Sequence, residues 1–140
     1  MKPEIYLFFN GNCLEAMTGY AETLGGEVMF KARNDEVPNP ADRMPGGDDL
    51  MMHMSIRIGD TLVMASDAPA ERYLQPQGFS VSVAPNSQAE FDRIFAALAK
   101  DAKAVTMPPC ETFWADCFTS FVDRYGVPWM LNFAGSKAAP

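Results

Sequence analysis

A chain of 140 residues, 48% of them hydrophobic, carries enough apolar material for one buried core without disulfide or metal staples. Its formal net charge of −7 and pI near 4.5 argue against nucleic-acid or anionic-membrane partners, since polyanions must be met by Lys and Arg. The cysteines Cys13, Cys110 and Cys117 show no CxxC spacing, so neither a disulfide framework nor a structural zinc site is expected, and reduced thiols in a cytoplasm fit best. No apolar run approaches the length of a membrane span, and the N-terminus lacks the apolar stretch of a signal peptide. A soluble, unprocessed, cytoplasmic protein is expected.

The first element is an apolar strand from Ile5 to Phe9. Asn12 follows as a helix cap with Glu15 placed for a capping box, and Met17, Tyr20, Ala21 and Leu24 then recur at helical spacing until Gly25-Gly26 stops them. Strand-like segments follow at Glu27 to Ala32, Met51 to Ile58 and Thr61 to Ser66, the last two joined by a Gly59-Asp60 hairpin signal. Between them, residues 33–50 form a long Pro/Gly/Asp-rich loop, of the kind that is either a functional lid or disordered.

Adding 74 to these numbers reproduces the pattern. Ile5, Leu7 and Phe9 become Phe79, Val81 and Val83; Asn12 becomes Asn86, beside the Ser87–Glu90 capping box; the helix face becomes Phe91, Ile94, Phe95 and Leu98. Strands then follow at Ala104 to Met107, Phe118 to Val122 and Val127 to Phe133, with Asp123 to Gly126 as the last hairpin turn and residues 135–140 as a frayed tail. Two copies of one β-α-β-β-β module are the economical reading, and the fold class is therefore α+β.

Alternation along the strands separates faces. Met52, Met54, Ile56 and Ile58 oppose His53, Ser55 and Arg57, and Val127, Trp129, Leu131 and Phe133 oppose Pro128, Met130 and Asn132. The apolar sets suit a helix and the others a ligand surface or dimer seam. His53, the one histidine, is a candidate general base or lone donor to a ligand oxygen, without a partner at recognisable spacing to orient it, or else a hydrogen-bonded structural side chain. Glu111 and Asp116 bracket Thr112-Phe-Trp-Ala115; they are a candidate carboxylate pair, with Glu111 the second catalytic candidate, or simply residues of a solvated turn. The thiols and the methionine cluster Met51, Met52 and Met54 are most cheaply explained as core filler.

Several segments resemble the PhnB-like branch of the glyoxalase, bleomycin-resistance and dioxygenase group, the vicinal oxygen chelate superfamily. They are Tyr6-Leu-Phe-Phe-Asn-Gly-Asn12, His53-Met-Ser-Ile-Arg-Ile-Gly-Asp60, Met64-Ala-Ser-Asp67, Glu111-Thr-Phe-Trp114 and Asp123-Arg-Tyr-Gly-Val-Pro-Trp-Met130. The resemblance implies one domain over residues 1–140, with modules at about 3–67 and 78–134 and a linker at 68–77. It also implies curved mixed sheets around a cup, helices outside, and a homodimer. Metal-dependent relatives place four ligands on the first and last strands of the modules; the matching positions here, Ile5, Met64, Phe79 and Met130, are two hydrocarbons and two thioethers, unsuited to a hard divalent ion. No metal and no cofactor are expected. No glycine-rich loop after a parallel strand suggests S-adenosylmethionine, despite a ubiquinone O-methylation label attached to some relatives.

The expected function is small-molecule binding without a metal. The expected ligand-binding set is Ile5, Leu7, Phe9, His53, Arg57, Met64, Ser66, Phe79, Val81, Trp114, Met130 and Asn132. The rival is a glyoxalase-type lyase or isomerase, with a non-standard metal site drawn from His53, Glu111 and Asp116; a scaffold whose dimer surface is its function is the third alternative.

Overall fold

The structure, a computed structural model, describes residues 1–139. It forms two compact units, divided between Leu74 and Gln75. In the first, β1 (Ile5–Phe9), α1 (Cys13–Leu24), β2 (Glu27–Arg33), β3 (Met51–Ile58) and β4 (Thr61–Asp67) follow in order. In the second, β5 (Val81–Val83), α2 (Gln88–Leu98), β6 (Ala104–Cys110), β7 (Cys117–Val122) and β8 (Pro128–Phe133) repeat that order. Each unit has one four-stranded mixed sheet, β1-β4-β3-β2 and β5-β8-β7-β6, in which the first strand lies parallel to the last and the other pairings are antiparallel.

The helices form where the apolar spacing placed them. Helix α1 buries Cys13, Ala16, Met17, Tyr20 and Ala21, and α2 buries Phe91, Ile94 and Leu98, so each turns one stripe onto its sheet. Gly25 ends α1 at φ 68°, the left-handed cap that a side chain would strain. Close behind it Gly26 lies against β3, where a Cβ would run into the Arg57 carbonyl.

Register shows which face each helix covers. In the first sheet Leu7, Ala65 and Met54 form one row across β1, β4 and β3, beside Val63 and Ile56, and all are buried. Phe9, at 0% exposure, meets Tyr20 of α1 at 6.3 Å between ring centroids. In the second sheet Val81, Trp129 and Phe121 share a row, and Phe121 meets Phe95 of α2 edge-on at 5.7 Å.

Two expectations about chain ends and caps are corrected. Asn12 makes no side-chain cap bond on α1. The buried Asp67 at the end of β4 does that work, its Oδ1 accepting from the backbone N–H groups of Gly11 and Cys13, both at 3.0 Å. A carboxylate at a helix N-terminus gains from both charge and hydrogen bonding, so it displaces the local amide. In α2 the local cap does form: Ser87 Oγ accepts from Glu90 N, while Glu90 Oε1 accepts from Asn86 N. The tail is likewise not frayed from Gly135 to Lys137, a 3-10 turn tied by hydrogen bonds from Ser136 to Asp116; Pro140 lies outside the described residues.

The loop at 33–50 folds around Asn34, which is 2% exposed. Its Nδ2 donates to the carbonyls of Met44 and Gly47, and its Oδ1 accepts from Met44 N. Among the described residues no helix is long and apolar enough to cross a membrane.

Candidate functional site

The face of the first sheet turned away from α1 gathers aromatic rings and the histidine. Tyr6 pairs with Met64, Met64 with Ser55, and Ser55 with Phe30, making a row across all four strands. His53, in register with Ala32, shares this face two residues before Ser55, because side chains alternate along a strand. Its ring lies 5.6 Å from that of Tyr6 and 5.9 Å from that of Phe30, and Tyr6 lies 5.1 Å from Phe8. The result is an unbroken strip of four rings, Phe30, His53, Tyr6 and Phe8, whose three carbocycles are between 38% and 53% exposed.

His53 is half-buried, and its Nδ1 is 3.1 Å from the Tyr6 hydroxyl. With the phenol donating, Nδ1 accepts and the proton of the neutral ring resides on Nε2. Nε2 has no hydrogen-bond partner among the described residues. Arg57 pairs with Glu27 at 3.3 Å on the exposed surface. Ser66, opposite Phe8 on β4, is buried at 6%.

At the end of the strip Phe8 joins a groove of about 370 Å³ with Asp67, Ala68, Pro69, Arg72 and Leu74. The Asp67 carboxylate is not free there: beyond its two helix contacts, Oδ2 accepts from Met51 N at 2.8 Å. Cys13, beside it, is held well above the ordinary thiol range by burial and then by the Asp67 charge. Burial and the Asp67 charge disfavour its thiolate, the form a nucleophile needs.

In the second sheet the corresponding face holds Met130, in register with Ser82 and Ser120, and Asn132, in register with Phe118. Its polar groups are largely satisfied within the chain. Trp114 Nε1 donates to Asn132 Oδ1 at 2.9 Å and its ring meets Phe118 edge-on at 5.4 Å. Thr106 and Ser120 share a hydroxyl bond of 2.6 Å.

Glu111 and Asp116 are both engaged by the C-terminal turn. Glu111 Oε1 accepts from Lys137 Nζ at 2.6 Å, and the same ammonium reaches the Thr112 carbonyl. Asp116 accepts from Ser136 Oγ at 2.6 Å and from its backbone N–H at 2.8 Å. The Ser136 hydroxyl, then its N–H, with a smaller contribution from Lys137, hold the Asp116 carboxyl below its usual range. These carboxylates clasp the tail. Each is engaged by the C-terminal turn, and no three His, Cys, Asp or Glu side chains converge on a metal position among the described residues.

Several expected ligand-binding positions fall on the wrong side. Leu7, Phe9 and Val81 are buried under the helices at 2%, 0% and 7% exposure, and Ile5 shares their face through its register with Val63. The physical reason is parity. Since β1 is parallel to β4 and β5 to β8, neighbours in register share a face, so the partners of the open-face Met64 and Met130 are Tyr6 and Ser82. Phe79 lies before β5 in an exposed groove of the second unit, beside Gln77 and Ser80. His53, Arg57, Met64, Ser66, Trp114, Met130 and Asn132 occur on the open faces or above them. Sequence reasoning missed Tyr6, Phe8 and Phe30; the alternation of β1, referred to the wrong neighbour, was the signal that could have found them.

On the first and last strands of each unit, where the resemblance implies a metal site in chelating relatives, the open faces present the paired Tyr6 and Met64 and the paired Ser82 and Met130. A phenol, a hydroxyl and two thioethers do not fit a hard divalent cation.

Three comparisons bear on kinship. The chain is 36% identical over 135 residues to Protein YjdN of Escherichia coli (strain K12), covering 91% of each chain. It superposes on the crystal structure of protein PA1353 from Pseudomonas aeruginosa with a TM-score of 0.85 and 40% identity, covering 95% of this chain and 97% of that one. For a PhnB protein from Bacillus cereus the values are 0.83, 26%, 96% and 100%. The fosfomycin resistance protein FosX from Mesorhizobium loti, at 14% identity and a TM-score of 0.59 over 97% of this chain and 93% of that one, shares the fold alone, that of the vicinal oxygen chelate type. Residues 2–132 match the family described as 3-demethylubiquinone-9 3-methyltransferase, and the chain belongs to that PhnB-like family.

Proposed function

We propose that the protein is a PhnB-like small-molecule binder that works without a metal, and that its ligand lies on the open face of the first sheet. The observation that carries this is His53. It stands between the rings of Tyr6 and Phe30, is hydrogen-bonded at Nδ1 to the Tyr6 hydroxyl, and has no partner at Nε2 among the described residues. An apolar surface with a few convergent polar groups is what a small-molecule site requires. The ring strip supplies area for a flat ligand, and Nε2–H supplies one directional bond.

Neither cofactor that kinship suggests suits these residues. The donors at the chelating positions do not fit a hard metal, as above. For S-adenosylmethionine, the β1–α1 turn is the place where a carboxylate would be held, yet its N–H groups already serve Asp67, and β1 belongs to a four-stranded mixed sheet.

A homodimer suits the outer strands. β2 and β6 each leave one edge unpaired and expose Val28, Met29, Phe30, Val105 and Met107, and apolar open edges are usually covered. The free thiols, with Cys110 exposed, suit a reducing cytoplasm. The same Tyr6–His53 pair also supports the rival reading, a lyase or isomerase of the glyoxalase kind in which the imidazole moves a proton.

The experiment is a thermal-shift screen of planar and cyclic metabolites against the wild type and His53→Ala. Ligands that stabilise the wild type and lose most of that effect in the variant support the reading; equal stabilisation of both contradicts it. Turnover of such a ligand, abolished by His53→Ala, would favour the enzyme.

A further inference from the structure

The ring strip does not end at Phe8. That side chain is at once the last ring of the strip, 5.1 Å from Tyr6, and a wall of the groove formed with Ala68, Pro69, Arg72 and Leu74. The groove is apolar apart from Asp67 and Arg72. The Asp67 carboxylate is 3% exposed and faces three backbone N–H donors, so its charge is largely answered within the fold.

Arg72 is different. The first unit contains four arginines. Arg33 is paired with Asp35, Arg57 with Glu27, and Arg43 donates to the Val37 carbonyl. Arg72 is exposed, and its side chain has no acceptor among the described residues. In a chain of net charge −7, the Arg72 guanidinium on this apolar groove is a cationic group open to a ligand. It selects for anions that also have apolar surface to bury.

We propose that the ligand of the first sheet is an amphipathic anion: a flat apolar body lying along Tyr6 and Phe8, with a carboxylate, sulfonate or phosphate head held by Arg72. This rests on the reading that the open face binds ligand, and it adds the charge of that ligand and the residue that recognises it. Guanidinium and an oxyanion head form a bidentate pair, a geometry that Lys cannot reproduce. The apolar walls supply the remainder through buried area.

Two fluorescent probes of the same ring skeleton separate charge from shape: 1-anilinonaphthalene-8-sulfonate and its uncharged analogue N-phenyl-1-naphthylamine, titrated into the whole protein. In the Arg72→Gln variant the sulfonate should bind about tenfold more weakly, the loss of one charge-assisted contact, while the neutral probe changes by less than about twofold. Phe8→Ala should weaken both probes. If Arg72→Gln leaves both affinities unchanged, or lowers both equally, while Phe8→Ala weakens them, the charge assignment is overturned and the surface reading stands. If neither probe binds the wild type, or if both bind Phe8→Ala and Tyr6→Ala as well as the wild type, the surface reading and the charge assignment fall together.

Discussion

The two units use one device in two places. Each buries an aspartate whose carboxylate accepts three N–H groups: Asp67 takes Gly11, Cys13 and Met51, and Asp123 takes Tyr125, Val127 and the Trp129 indole at 2.9 Å each. These acids do not correspond under the internal repeat. Asp67 joins the end of β4 to the start of α1 and of β3, and so fixes the strand ends beside the ring strip. Asp123 ties its own hairpin and the Trp129 indole. The open faces differ in the same sense, for Trp114, Asn132, Thr106 and Ser120 satisfy one another in the second sheet, whereas the first leaves His53 Nε2 and Arg72 without partners among the described residues. The duplicated architecture therefore carries two different surfaces: the second unit pairs these polar groups with one another.

The largest expected effect tests the caps. Asp67→Ala orphans three backbone donors, those of Cys13 and Met51 in buried bonds, and should destabilise the protein by about 3 kcal/mol, whereas Ser87→Ala removes one exposed cap of α2 and should cost about 1 kcal/mol. Urea unfolding curves read both, and equal costs would erase the asymmetry. Next comes binding: for a ligand found by screening, His53→Ala should raise Kd about tenfold through the lost hydrogen bond. In contrast, Asn132→Ala should leave it within about twofold, as calorimetry would show.

Trp114→Phe keeps the edge-on contact with Phe118 but removes the indole donor. It should cost about 1 kcal/mol without altering ligand affinity, in a paired melt and titration. Among the thiols, Cys110 is exposed and Cys13 and Cys117 are buried, so mass spectrometry should find one site alkylated quickly in the native protein. Rapid labelling of Cys13 would contradict the burial and charge that keep it protonated.

The smallest effect is the acid response of the tail. Asp116 has a carboxyl pKa lowered by folding, so its clasp contributes fully above the ordinary carboxylate range and is lost as pH falls through the lower folded value. The Ser136 amide resonance should follow that transition, and Ser136→Ala should move it back toward the usual range.

Much of the fold was legible because its signals are local. Helix spacing at Met17, Tyr20 and Ala21, and at Phe91, Ile94 and Leu98, and turns at Gly59 and Gly126, follow from backbone geometry that short segments already encode. β3 ran from Met51 to Ile58 as expected. The candidate site was legible only in part. His53, Met64 and Met130 emerged from alternation within single strands. Tyr6 and Phe8 did not, because their face depends on which strand lies beside β1, and that pairing joins residues more than fifty positions apart. Asp67 as the cap of α1 was hidden for the same reason, as were the roles of Glu111 and Asp116, whose partners lie in the tail. Long-range hydrogen bonding overrode the local capping box at Asn12, and no window of sequence contains that competition.

His53 is the single histidine of the chain, so its imidazole Cε1–H resonance is unambiguous, and titration with 1-anilinonaphthalene-8-sulfonate tests the central claim most directly. The account predicts a saturable shift of that resonance, tracking the probe's fluorescence, while the Trp114 indole N–H stays in place. Fluorescence that saturates with the His53 signal unmoved would contradict it.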